Sequence, residues 1–203
     1  MKRNKTPIKA VIFDMGGVLL KTVDSHARES MAEEFGTMRA ELEDFVFNSQ
    51  TSLASEVGKI SDVVHWETIL AHFGLKNKNI LDVYDQYFSG DEIDERLLRF
   101  IDKLKMIGLK TGLLSNAWVN ARERLSKRFE FLGVFDESIF SYEVRSRKPD
   151  PEIYFEMLWR LSALPSESLF IDDVEENVIG ARHIGLNAFQ FRSSDETIRR
   201  ITE

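Results

Sequence analysis

Cysteine is absent from all 203 residues. That excludes a disulfide framework, a thiolate nucleophile and a zinc site built on cysteine. Long apolar runs are missing too. No stretch approaches the ~20 apolar residues that span a bilayer, so no membrane partner is expected. Positive charge is in deficit: 34 acidic residues stand against 27 basic ones, a formal net charge of -7. Broad nucleic-acid binding needs the opposite balance against phosphates. A small anionic substrate stays compatible, because a site has its own local field. Met1 to Lys9 is polar and basic, without the apolar core of a secretory signal, so a cytoplasmic location is expected. Internal repeats and low-complexity segments are lacking as well.

What is present is an ordinary hydrophobic fraction of 43%, enough to fill a core. The length suits one domain, or one core domain carrying a small insert. Ile8 to Phe13 is a short apolar run rich in branched residues, which reads as a buried strand ending at Asp14. Gly16-Gly17 then permits a sharp exit, and Val18-Leu19-Leu20 reads as a small extended flap. From about Asp24 to Ser89 helical periodicity replaces strand-like runs. Ser61 to Phe73 places Val64, Ile69, Leu70 and Phe73 on one face with Gly74 as a stop, and Asn79 to Phe88 reads as another helix.

After Gly90 an α/β rhythm begins. Helices are predicted over 91–107, 119–131, 151–161 and 175–184, and strands over 109–114, 138–141, 168–171 and 186–191. Alternation of this kind predicts a doubly wound parallel sheet covered on both faces. The predicted organisation is a core of residues 1–21 and 90–203 with a helical insert over 22–89.

The polar residues fall at strand ends. Asp14, Ser115-Asn116 and Asp172-Asp173 each follow an apolar strand, and the loop Arg145 to Asp150 follows another. Carboxyl ends of parallel strands share one edge, where ligands bind. Asp14 is a carboxylate able to attack phosphorus. A divalent metal would neutralise the meeting of two anions. Magnesium takes a few carboxylates, a carbonyl and waters, and Asp14, the Gly16 carbonyl and Asp172 or Asp173 supply that set. Lys148 offers a fixed positive charge, and Ser115 with the Asn116 amide offers hydrogen bonds to phosphoryl oxygens.

Each cluster alone has a plainer account. Asp14 suits a turn, Ser115 or Asn116 suits a helix cap, and Asp173 with Glu176 suits a capping box. Lys148 alone suits a solvated loop. Asp172 beside Asp173 resists that treatment, because adjacent carboxylates repel without a cation or donor nearby. His65, His72 and His183 lack metal spacing and read as structural or surface residues. Trp66, Trp118 and Trp159 read as packing residues, with Trp118 near enough to Asn116 to line a site mouth.

Together these segments resemble the four motifs of the haloacid dehalogenase-like superfamily. Val11 to Val18 resembles the first, Leu113 to Asn116 the second, Arg147 to Tyr154 the third, and Phe170 to Asp173 with Asn177 and Gly180-Ala181 the fourth. The resemblance covers nearly the whole chain. It implies a Rossmann-like core with a small helical cap inserted after the first strand, of the class capped at that point. It is nearest to sugar-1-phosphate phosphatases and the phosphatase domain of soluble epoxide hydrolases. By that resemblance Asp14 is nucleophile and metal ligand, and Gly16 gives its carbonyl to Mg2+. Ser115, Asn116 and Lys148 bind phosphate, Lys148 also serving catalysis, and Asp172 and Asp173 complete the metal site.

One departure stands out. Phosphatases of the family usually carry an aspartate two residues after the nucleophile as general acid and base, and here that position is Gly16. Such a group contributes ~10²–10⁴-fold. The expected function is dephosphorylation of a small phosphorylated metabolite, a sugar phosphate, by a monomer or homodimer. The alternatives are a 2-haloacid dehalogenase, whose halide leaves unprotonated, and a weakly active or inactive phospho-ligand binder. Asp24 and His26 are the nearest replacements in sequence, on a helix expected to face solvent.

Overall fold

The computed structural model describes residues 7–203. Residues 1–6, the start of the basic leading stretch and of the predicted core, lie outside the described residues. The strands are β1 (Ala10–Phe13), β2 (Leu20–Thr22), β3 (Asp91–Ile93), β4 (Lys110–Ser115), β5 (Glu137–Phe140), β6 (Ser168–Asp172) and β7 (Asn187–Gln190). Between β2 and β3 lie α1 (His26–Glu34), α2 (Arg39–Asn48), α3 (Gln50–Glu56), α4 (Asp62–His72) and α5 (Ile80–Tyr87). The remaining helices are α6 (Glu95–Met106), α7 (Ala121–Arg128), α8 (Ser141–Val144), α9 (Pro151–Leu161), α10 (Glu175–His183) and α11 (Ser194–Thr202).

Five strands form one parallel sheet in the order β5-β4-β1-β6-β7. β1 is central and buried throughout, as a strand covered on both faces must be. Its side chains alternate between two cores. Val11 and Phe13 pack with Leu97, Ile101 and Leu113 on one face, and Ala10 and Ile12 pack with Ile153, Met157 and Phe170 on the other. α6 shows how a helix is won here. The Asp94 side chain accepts the Leu97 amide at its start, and Leu97, Ile101 and Leu104 bury one face. Each such side chain contributes about 1.5–3 kcal/mol on full burial. This is the doubly wound α/β fold the alternation predicts.

Several local expectations change. The helix predicted from residue 91 begins at Glu95, because Asp91–Ile93 pairs antiparallel with Leu20–Thr22. The predicted helix over 119–131 shrinks to α7, which buries none of its residues and gives way to an irregular apolar stretch around Phe131. Val64 is exposed rather than inward, because α4 turns Trp66, Ile69 and Leu70 to the interior instead. Trp159 is 74% exposed and packs nothing, on the outer face of α9. α11 has no counterpart in the sequence reading; its short amphipathic pattern follows a Ser193 side chain that accepts the Glu196 amide.

The helices between β2 and β3 have their own core of Met31, Leu42, Val46, Trp66, Ile69 and Tyr87. His65 is fully buried there, beside Thr51 and the Val46 carbonyl, and burial pushes its pKa down to about 4, so it is neutral. Trp118, from the loop after β4, inserts into this cluster and donates its indole N–H to Ser52 Oγ at 2.9 Å. Arg124 of α7 pairs with buried Asp62 at 2.8 Å. Arg147 pairs with Glu56 at 2.6 Å. The helices are thereby held against the loops at the carboxyl edge of the sheet. No helix among the described residues is long and apolar enough to cross a membrane.

Candidate active site

Because β1, β4 and β6 are adjacent and parallel, the residues at their ends meet. One carboxylate oxygen each from Asp14, Asp172 and Asp173 lie within 4.8 Å of one another. Lys148 arrives from the loop after α8 and is 1% exposed. Its Nζ lies 2.6 Å from Asp14 Oδ1 and 2.6 Å from Asp172 Oδ2.

The two late aspartates differ. Asp172 is fully buried and surrounded by donors: Lys148 Nζ, the Asn177 amide at 3.0 and 3.1 Å, and the Val174 backbone N–H at 2.8 Å. Asp173 is half-buried and lacks the ring of donors that encloses Asp172. It lies over Gly17, where a Cβ would stand 2.1 Å from Asp173 Oδ2. Gly17 also has φ of 74°, so the turn after the nucleophile needs glycine for two reasons. The capping-box reading of Asp173 fails. Val174 is the N-cap of α10 and receives no side-chain cap.

Ser115 is 1% exposed and lines the site. The Asn116 side chain does something the sequence did not suggest. It donates to the Lys148 carbonyl at 2.9 Å and accepts the Lys148 N–H at 2.8 Å, so it clamps the lysine loop. The other side of that loop is fixed by a close approach: a Cβ on Gly180 would meet Pro149 at 2.8 Å. Tyr154 Oη donates to the Asn177 carbonyl and steadies the residue that holds Asp172. Asn177 carries a sequence signal, since it belongs with Phe170 to Asp173 in the fourth motif segment, and it sits in the first turn of α10 just after the strand that ends at Asp172. The Glu56–Arg147 pair carries none, because its partners are 91 residues apart.

Electrostatics follow from this burial. Desolvation pushes the Asp14 carboxyl up, Asp172 and Asp173 push the same way, and the Lys148 ammonium pulls it back; the net direction is upward, to about 8. Burial alone would lower Lys148, yet Asp14 and Asp172 hold it above the usual lysine value, so it stays a cation. Asp173 is raised by burial and by Asp172. If all three carboxylates are ionised, as a bound cation would favour, one ammonium leaves a net charge of minus two, which one divalent cation would balance. The donor set is all oxygen, which suits a hard ion. The Gly16 carbonyl is not used by the tight bridge beside it, in which Leu20 N–H donates to Met15 O and Gly17 N–H to Leu20 O. The residues present therefore fit magnesium.

The cluster opens into a cavity of about 650 Å³ between the carboxyl edge and the helices of the insert. Gly16 faces open space, with nothing within 4 Å of where its Cβ would be. Asp24 and His26 are exposed, as expected, and do not line the cavity.

The family model for haloacid dehalogenase-like hydrolases matches residues 8–185. Sesquiterpene phosphatase astK of Aspergillus oryzae is 28% identical, over 89% of this chain and 88% of its own. D-ribitol-5-phosphate phosphatase of Bacteroides thetaiotaomicron is 27% identical, over 90% of this chain and 91% of its own. Among solved structures, a HAD family enzyme of Bacteroides thetaiotaomicron, in complex with magnesium and inorganic phosphate, superposes with a TM-score of 0.76. It is 24% identical and covers 91% of this chain and 94% of its own.

Proposed function

The chain belongs to the haloacid dehalogenase-like hydrolases, and on that premise we propose that it is a magnesium-dependent phosphatase working through an aspartyl-phosphate on Asp14. The single observation that carries this is the gathering of three carboxylates, Asp14, Asp172 and Asp173, beside the one ammonium of Lys148. The names of the relatives support the reaction class. The magnesium and phosphate bound by a neighbour of the same fold support the ion.

Asp14 attacks phosphorus. The bond from its carboxylate oxygen to phosphorus forms as the bond to the alcohol oxygen breaks, and the departing oxygen takes a proton from water. Water then adds to phosphorus, the Asp14–phosphorus bond breaks, and the carboxylate returns as phosphate leaves. One water is consumed per ester. Lys148 has three N–H donors, of which two face Asp14 and Asp172. The third serves a phosphoryl oxygen, with Ser115 Oγ and the Asn116 backbone amide beside it. Asp14, Asp173 and the Gly16 carbonyl would hold magnesium, and Asp172 orients Lys148. When bound, the ion would supply positive charge that offsets the repulsion between the attacking carboxylate and the phosphoryl oxygens. Residues 22–89 act as the cap over a core of 1–21 and 90–203. A cytoplasmic monomer or homodimer belongs to the same reading and rests on composition.

Asp173 weighs against the dehalogenase reading. Halide displacement needs no cation, whereas this cluster does. The test is release of inorganic phosphate from acetyl phosphate and p-nitrophenyl phosphate. Release that stops with EDTA and returns with Mg2+ is expected. Halide release from a 2-haloacid in EDTA would overturn the proposal.

Gly16 permits a second measurement. The open space beside it accommodates an aspartate, and its backbone angle is not in the left-handed region. Gly16→Asp is expected to raise kcat on alkyl phosphates by about 10²-fold, the scale of a restored proton donor. Acetyl phosphate, whose leaving group needs no proton, should gain little. Steady-state rates on the two substrates check it.

A further inference from the structure

The relatives' names diverge on the alcohol, and the cavity itself bears on the choice. Its far wall is apolar: Phe47 and Trp118 stack with centroids 5.7 Å apart, Phe88 lies 6.2 Å from Trp118, and Met15, Leu125 and Phe129 also line the space. Phe47 is 37% exposed and Phe88, Leu125 and Phe129 are half-buried, so these surfaces are open to a ligand.

Most of the polar side chains along the same walls already have partners. Arg28 pairs with Asp91 at 2.8 and 3.0 Å, and Thr22 donates to Asp91 at 2.7 Å. Lys21 pairs with Asp94 at 2.7 Å. Arg128 donates to the Phe88, Ser89 and Asp91 carbonyls. Arg147 pairs with Glu56, and Asn48 donates to Asp44. Among the described lining carboxylates, Asp14, Glu56 and Asp91 each have a cationic partner, and Asp173 and Glu176 stand near the phosphoryl end. A buried hydroxyl without a partner costs about 1–3 kcal/mol. A polyol would bring several. A hydrocarbon brings none and gains from every methylene removed from water.

We infer that the preferred substrate is the monophosphate of an apolar alcohol, an alkyl or isoprenoid chain lying along Phe47, Phe88, Trp118, Leu125 and Phe129. The inference rests on the phosphatase reading for the headgroup and on the wall for the tail. Two measurements separate them. The first is kcat/KM, with Mg2+, for straight-chain alkyl phosphates from ethyl to octyl, against ribitol 5-phosphate and glucose 1-phosphate. The second is the Kd of the matching alkylphosphonates, which cannot be hydrolysed, by calorimetry.

A rise in kcat/KM of roughly threefold per added methylene is expected, with the phosphonates tightening in parallel. Both polyol phosphates should lie at least about a hundredfold below octyl phosphate. Turnover and affinity that stay flat with chain length, with a polyol phosphate cleaved best, would overturn the inference and leave the phosphatase standing. Phosphonate affinity that climbs with length while no ester releases phosphate would support the tail pocket and overturn the phosphatase reading.

Discussion

Asp14→Asn is expected to lower turnover at least about 10⁴-fold while the protein stays folded. The substitution keeps the shape of the side chain and removes the attacking charge. Asp14 sits at the end of the central strand with its backbone N–H donating to the Ile171 carbonyl, and neither feature depends on the carboxylate. Lys148 keeps Asp172 as a partner at 2.6 Å. The buried carboxyl of Asp14 is held above its ordinary pKa chiefly by desolvation. Replacing it by a neutral amide therefore removes an electrostatic cost, and stability should be unchanged or higher. Phosphate release and urea denaturation on the same preparation check both halves. Activity within tenfold of the parent would mean that another group attacks phosphorus.

Lys148→Met should strike both stability and rate. Lys148 is 1% exposed and bridges two buried carboxylates. Removing one partner of a buried ion pair leaves uncompensated charge and costs about 3–5 kcal/mol. The mechanism predicts a pH signature. Without the ammonium, the folded-state pKa of the buried carboxyl at Asp14 rises further above its unfolded value. A raised folded-state acid pKa costs nothing below the unfolded pKa, where both states are protonated, and its penalty accrues as pH rises from the unfolded value to the folded one. It shrinks as pH falls toward the ordinary carboxylate range. Urea midpoints at pH 5 and pH 8 should therefore differ more for the variant than for the parent, and Mg2+ should restore part of the loss by replacing positive charge. Turnover should fall about 10²–10³-fold, the scale of losing one preorganised charge at a phosphoryl group. A variant as stable as the parent at pH 8 would show that Lys148 is not the neutralising group.

Much of the site was readable because parallel sheets have a polarity. Once β1, β4 and β6 are recognised as parallel, Asp14, Ser115 and Asp172 must share an edge, whatever their separation along the chain. The alternation of strands and helices after residue 90 and the helical character of 24–89 follow from periodicity, whereas the order of strands in the sheet came only with the structure. Misread pieces were those where long-range partners outweigh local pattern. Asp91–Ile93 reads as helix until Leu20–Thr22 is placed beside it. Val64 and Trp159 are apolar residues left outside because neighbouring positions took the interior face.

The amino-acid sequence by itself determined the fold class and which carboxylates and lysine to gather in a candidate site, since these are matters of periodicity and of residue type after a strand, while the departure at Gly16 was read from the family resemblance. Only the tertiary structure decided how those groups divide their work. Asp172 is enclosed by Lys148, Asn177 and the Val174 amide while Asp173 stays open, and Asn116 spends its side chain on the lysine loop rather than on the cavity. The character of the far wall was decided there too. Whether Arg28, Lys21 or Arg128 can greet a ligand depends on which acceptors fold beside them, and hydrogen-bond capacity is consumed by neighbours in space that no spacing along the chain discloses.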